Sequence, residues 1–87
     1  MARAKRVEFT LDMPKAVVVS VAGTFNNWDV SRDPMRKGKD GLWRCKVSAP
    51  AGRHEYRFVV DGEWIGDPKA AASAPNAYGS SNSVLEI

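Results

Sequence analysis

The chain of 87 residues has a single cysteine, Cys45, and a single histidine, His54. One cysteine excludes an internal disulfide and fits a reducing, cytoplasmic setting, which is the expected location. One Cys, one His and scattered carboxylates give no metal-ligand spacing, and the glycines stand in turns without forming G-x-G-x-x-G. No metal and no cofactor is therefore expected. Ser, Cys and His show no arrangement suited to nucleophilic catalysis. Asp61 and Asp67 flank a tryptophan, but a chain of this size leaves little volume for a cleft in which paired carboxylates could face each other. The chain is not expected to be an enzyme. Nothing approaches the run of about 20 apolar residues of a membrane span, and no apolar segment of an export signal follows Met1. A soluble protein without membrane contact is expected. Charge of one sign is also scarce. The net charge is only +3; much of it lies in Arg3, Lys5 and Arg6 and in Arg36, Lys37 and Lys39, and Asp and Glu are interspersed nearly everywhere along the chain. That pattern describes a solvated, mixed-sign surface better than a nucleic-acid footprint. Long amphipathic helices and internal repeats are absent as well.

What is present is period-two alternation. Between Arg53 and Val60, His54, Tyr56, Phe58 and Val60 fall on one face, and Arg53, Glu55, Arg57 and Val59 on the other. This reads as a strand with one buried face, and Asp61-Gly62 after it is a strong hairpin signal. Upstream, Val7, Phe9 and Leu11 alternate with Glu8, Thr10 and Asp12 in a first strand that Pro14 ends, preceded by a frayed basic end over residues 1–5. The valine-rich run Ala16 to Ala22 predicts a strand covered on much of both faces. A loop follows at Thr24-Phe25-Asn26-Asn27-Trp28-Asp29, then a long connection with a short strand around Pro34-Met35-Arg36. Trp43, Cys45 and Val47 share the inward face of the next strand. Gly66-Asp67-Pro68 breaks the pattern, Lys69 to Ala77 reads as a loop or a single turn, and Asn82 to Ile87 forms a last strand with Val84 and Ile87 turned to the core. Six to eight short strands separated by turns about ten residues apart predict one all-β domain over residues 6–87. The expected architecture is an antiparallel immunoglobulin-like β-sandwich, with a small open barrel as the alternative.

Trp43 obeys the alternation and belongs to the core. Cys45 reads as a small hydrophobe, and His54 as a packed, hydrogen-bonded histidine. Trp28 and Trp64 stand outside the pattern, in polar, turn-rich surroundings. Either each folds back as a lid on the sandwich, or the two form a pair of exposed rings. Exposed indoles suit sugars, because one face of a glucose ring presents mainly C–H groups that pack on a π-face. The hydroxyl edge then needs donors and acceptors beside the ring. Arg57, Ser80 and Asn82 can supply them, in a shallow site wetted by bridging water.

The segments Val19-Ser20-Val21-Ala22-Gly23-Thr24-Phe25-Asn26-Asn27-Trp28, Gly41-Leu42-Trp43, Gly52 through Trp64, Asp67-Pro68 and Gly79-Ser80-Ser81-Asn82-Ser83-Val84 follow one another in this order. In this they resemble carbohydrate-binding module family 48, the glycogen-binding domain of AMP-activated protein kinase β-subunits, over about residues 6 to 87. Related modules precede the catalytic domains of branching enzymes and isoamylases. The resemblance implies non-catalytic binding of α-1,4-glucans such as glycogen, starch, maltooligosaccharides or cyclodextrin, with Trp28 and Trp64 stacking on glucose. It also implies a β-sandwich of the early-set type and edge contacts from Arg57, Ser80 and Asn82. Tyr78 stands where the kinase modules carry a bulky aliphatic residue, so a ring able to stack replaces a plug. The implied partners are a glucan and a kinase subunit or glucan-metabolising enzyme, and a docking module with little sugar affinity is the alternative.

Overall fold

A computed structural model describes residues 4–76 and 79–87. Among them are eight strands: β1 (Ala4–Asp12), β2 (Val19–Gly23), β3 (Arg36–Lys37), β4 (Leu42–Pro50), β5 (Arg53–Val60), β6 (Glu63–Ile65), β7 (Ala72–Pro75) and β8 (Ser81–Glu86). One 3-10 turn, Thr24–Asn26, follows β2, and there is no α-helix among the described residues. All pairings are antiparallel. β1, β4 and β3 form one sheet, and β2, β5, β8 and β7 form the other, with β6 also on β5. The domain is thus the expected all-β sandwich of two sheets.

β5 is the axis of the larger sheet. β2 takes one of its edges over Tyr56 to Val60. The other edge is shared, with β8 pairing Arg53 to Tyr56 and β6 pairing Phe58 to Val60. The alternation read from the sequence holds, since His54, Tyr56 and Phe58 are buried. Phe9 of β1 meets Tyr56 and Phe58 across the sandwich at ring-centroid distances of 4.9 and 6.4 Å. These tilted and edge-on contacts, with Val19, Val21, Leu11, Trp43 and Val47, make the core. Burial of His54 is paid for by two hydrogen bonds. The Pro50 carbonyl can only accept, so Nε2–H donates to it at 2.8 Å, and the Thr24 hydroxyl donates to Nδ1 at 2.9 Å. Burial pushes the Cys45 thiol up, in line with a half-buried apolar role.

Four local expectations need correction. Ala4 and Lys5, expected in the frayed end, already pair with Pro50 and Ala49. Val17 and Val18 are 79% and 63% exposed rather than covered, and β2 begins at Val19. Their N–H groups are taken by the Asp61 carboxylate at 3.0 and 2.8 Å, which holds this segment against the β5–β6 turn instead of in the ladder. The segment expected as a loop contains β7, an edge strand on which Pro75 sits at the last rung, where its missing N–H is tolerated. On β8 the residues opposite His54 and Tyr56 are Leu85 and Ser83, and Leu85 packs on the core. Val84 pairs with Glu55 and so faces outward, and Ile87 lies past the strand, exchanging backbone hydrogen bonds with Gly52.

Candidate functional site on the outer face of the larger sheet

Register decides which side chains share the outer face. Val59 is opposite Trp64, Arg57 opposite Ala22, and Glu55 opposite Val84. Period two along β8 adds Asn82 to the same face. Trp64 therefore obeys the alternation after all. It is the middle residue of β6, directed outward and 41% exposed, while its neighbour Ile65 packs on the core. Asp61 and Gly62, with φ of 49° and 87°, make the hairpin turn that the Asp-Gly pair predicted.

Trp28 arrives from the β2–β3 connection. Asn27 and Trp28 both have left-handed backbones, with φ of 56° and 59°. Asn tolerates that region, but tryptophan pays for it in side-chain crowding. Buried Asn26 fixes the turn. Its Oδ1 accepts from Gly23 N–H at 3.0 Å, and its Nδ2 donates to the Val21 carbonyl and to Asp33. The Trp28 N–H closes the turn on the Gly23 carbonyl at 2.9 Å. A side chain at Gly23 would meet the Glu55 carbonyl at 2.5 Å, so the close passage of this turn over β5 requires glycine. Just beyond, the Ser31 N–H and hydroxyl both donate to Asp29 and hold its carboxyl below the usual range.

The two indoles meet with centroids 6.3 Å apart and planes inclined by 44°. They line an open hollow of about 730 Å³ with Arg57, Asn76 and Asn82. Arg57 stands where the neighbour of β5 changes from β8 to β6, and its guanidinium spans that step. Nη1 donates to Ser80 Oγ and Nη2 to the Trp64 carbonyl, both at 3.2 Å. Nε is buried without a hydrogen-bond partner. Ser80 Oγ also accepts from Asn76 Nδ2 at 2.9 Å, so its lone pairs are taken and its hydrogen is left to donate.

Trp28, Arg57, Trp64, Ser80 and Asn82 are thus brought together over the outer face of the larger sheet. Tyr78 lies outside the described residues. Sequence reasoning missed Asn76 and Glu55. Glu55 was accessible to it, because period two puts it beside Arg57. Asn76 was hidden in the stretch mistaken for a loop. Among the described residues, no group of three or more His, Cys, Asp or Glu side chains is placed to hold a metal.

An antiparallel sandwich that buries one face of β5 and gathers rings, amides and a guanidinium on the other belongs to the class of small recognition modules. More particularly, the chain belongs to the family described as the glycogen recognition site of AMP-activated protein kinase, whose family model matches residues 7–87. That family is a carbohydrate-recognition module and not a catalytic one. Among similar curated proteins is the 5'-AMP-activated protein kinase subunit beta-1 of Sus scrofa, 30% identical over 69 residues that make up 79% of this chain and 53% of the relative. The subunit beta-1 of Bos taurus is 32% identical and the subunit beta-2 of Homo sapiens 29%, each over 79% of this chain and 24% of the relative. The chain spans about half the length of the first of these and about a quarter of the other two.

Proposed function

We propose that residues 6–87 act as one cytoplasmic, non-catalytic module that binds α-1,4-glucans in the hollow between Trp28 and Trp64. Glycogen, starch, maltooligosaccharides and cyclodextrin are the ligands of this class. The observation that carries the reading is the inclined pair of indoles at 6.3 Å. Two rings set at an angle make a concave surface, which suits the curved path of an α-linked glucan better than a flat ribbon. Each ring packs against the C–H face of one glucose unit. Arg57 and Asn82 then meet the hydroxyl edge, and Ser80 has a hydroxyl hydrogen to give. With Trp64 well exposed, the site is shallow, and short oligosaccharides should bind with Kd between micromolar and millimolar, about −8 to −4 kcal/mol.

Retention on an amylose column tests this. The wild-type chain should be retarded and released by maltose, and Trp64→Ala should run through while remaining folded. Passage of the wild type without delay would count against the proposal. The relatives are kinase subunits by name, which favours a second reading: the sandwich docks on a kinase subunit or a glucan-metabolising enzyme, with little sugar affinity. A partner that co-purifies with a protein lacking glucan affinity would select that reading.

A further inference from the structure

Asn82 is the one amide of the proposed glucan site that period two places on the same face as Arg57 and Trp64. An amide can point either of two ways, and it binds a sugar edge more tightly when its orientation is settled before binding. Hydrogen bonds around Asn82 settle it. Glu55 Oε1 lies 3.2 Å from one terminal atom of Asn82. A carboxylate only accepts, so that atom is the nitrogen. The other atom is then the oxygen and requires a donor, which Asn76 Nδ2 provides at 3.2 Å. Asn76 is itself oriented, because its Oδ1 accepts from the Ser80 N–H and its Nδ2 also donates to Ser80 Oγ. At the far end, Arg53 holds the other oxygen of Glu55 at 3.1 Å. The chain of contacts runs from Arg53 through Glu55, Asn82 and Asn76 to Ser80, and every member is compatible with only one arrangement of donors and acceptors.

We infer that Glu55 and Asn76 are positioning residues that lock the Asn82 amide, so that the site offers one fixed N–H and one fixed carbonyl lone pair to two adjacent hydroxyls of a glucose ring. Each of these groups of Asn82 has one valence used within the network and one left. A pre-oriented donor beside a pre-oriented acceptor matches a vicinal diol, in which one oxygen accepts while its neighbour donates. Arg57 supplies donors only, so the acceptor half of this edge comes from Asn82. Glu55 and Asn76 raise affinity by removing the alternative orientation, not by providing the edge itself.

This inference rests on the glucan reading above, and the experiment separates the two. β-Cyclodextrin is titrated calorimetrically into the wild type, Glu55→Ala, Glu55→Gln, Asn76→Ala, Asn82→Ala and the double variant Glu55→Ala/Asn82→Ala, with thermal unfolding of each as the check on folding. Glu55→Ala should weaken binding by about two-fold, the loss expected when an amide is left free to take either of two orientations. Glu55→Gln, which keeps an acceptor, should restore most of that loss. In the Asn82→Ala background, Glu55→Ala should have no further effect, because there is no amide left to orient. Asn76→Ala should weaken binding as well and gives an independent arm. If the wild type binds but the losses from Glu55→Ala and Asn82→Ala simply multiply, or Glu55→Ala binds as the wild type does, the positioning role is wrong and the glucan site stands. If the wild type does not bind at all, both fall together.

Discussion

Trp28 holds its place through a turn of two left-handed residues, Asn27 and Trp28, neither of them a glycine. A non-glycine residue there costs on the order of 1–2 kcal/mol. The hydrogen bonds of Asn26 offset this cost. Asn26→Ala should therefore cost about 2–3 kcal/mol in urea denaturation, since Gly23 N–H and the Val21 carbonyl lose a buried partner. It should also lower glucan affinity, because the ring is released with the turn. At this scale the sequence was only partly legible. Asn26, Asn27 and Trp28 stand together in one motif, yet period and composition do not distinguish the asparagine that is 2% exposed from the one beside it that faces solvent. That distinction comes from Val21, Gly23 and Asp33, which converge on Asn26 only in the folded chain.

The β5–β6 hairpin shows how one turn serves both strand pairing and the site. Asp61 adopts φ of 49°, and its carboxylate also receives the Val17 and Val18 N–H groups. Its own N–H donates to the Val18 carbonyl at 2.8 Å. Asp61→Ala should cost about 2–3 kcal/mol, through lost acceptors and an alanine forced to positive φ. Asp61→Asn, which tolerates that backbone and keeps one acceptor, should cost under about 1 kcal/mol. Equilibrium denaturation of the two variants measures the difference. The turn was legible because Asp-Gly carries its own backbone preference, and so were β1, β4 and β5, whose alternation is clean. β7 was not. Its residues, Ala72 to Pro75, are poor strand formers, and only pairing with β8 makes them one.

Over the whole molecule, β5 separates two tasks: Tyr56 and Phe58 bind the sheets together on one face, and Glu55, Arg57 and Val59 look outward on the other. On the buried face the Tyr56 hydroxyl donates to Asp67 at 2.6 Å, while the Asp67 N–H donates to Ser83 Oγ. Burial first, and the Asp67 hydrogen bond next, push the Tyr56 pKa above its ordinary value near 10. The unfolded chain therefore gives up this proton at lower pH than the folded one. This contribution to stability is complete below about pH 10 and is lost as pH rises from there towards the folded value. In Tyr56→Phe the fold should lose about 1 kcal/mol at neutral pH, and urea midpoints should fall less steeply above about pH 10. Separation of the two faces also means that the site can be emptied without touching the core, and this makes the central claim directly testable. Tryptophan fluorescence followed during titration with β-cyclodextrin should change and saturate in the wild type. With Trp64→Ala the saturable change should vanish, while the circular dichroism and unfolding midpoint stay close to those of the wild type. A wild-type signal indifferent to cyclodextrin, or a folded Trp64→Ala variant that still saturates with the same affinity, would contradict the claim.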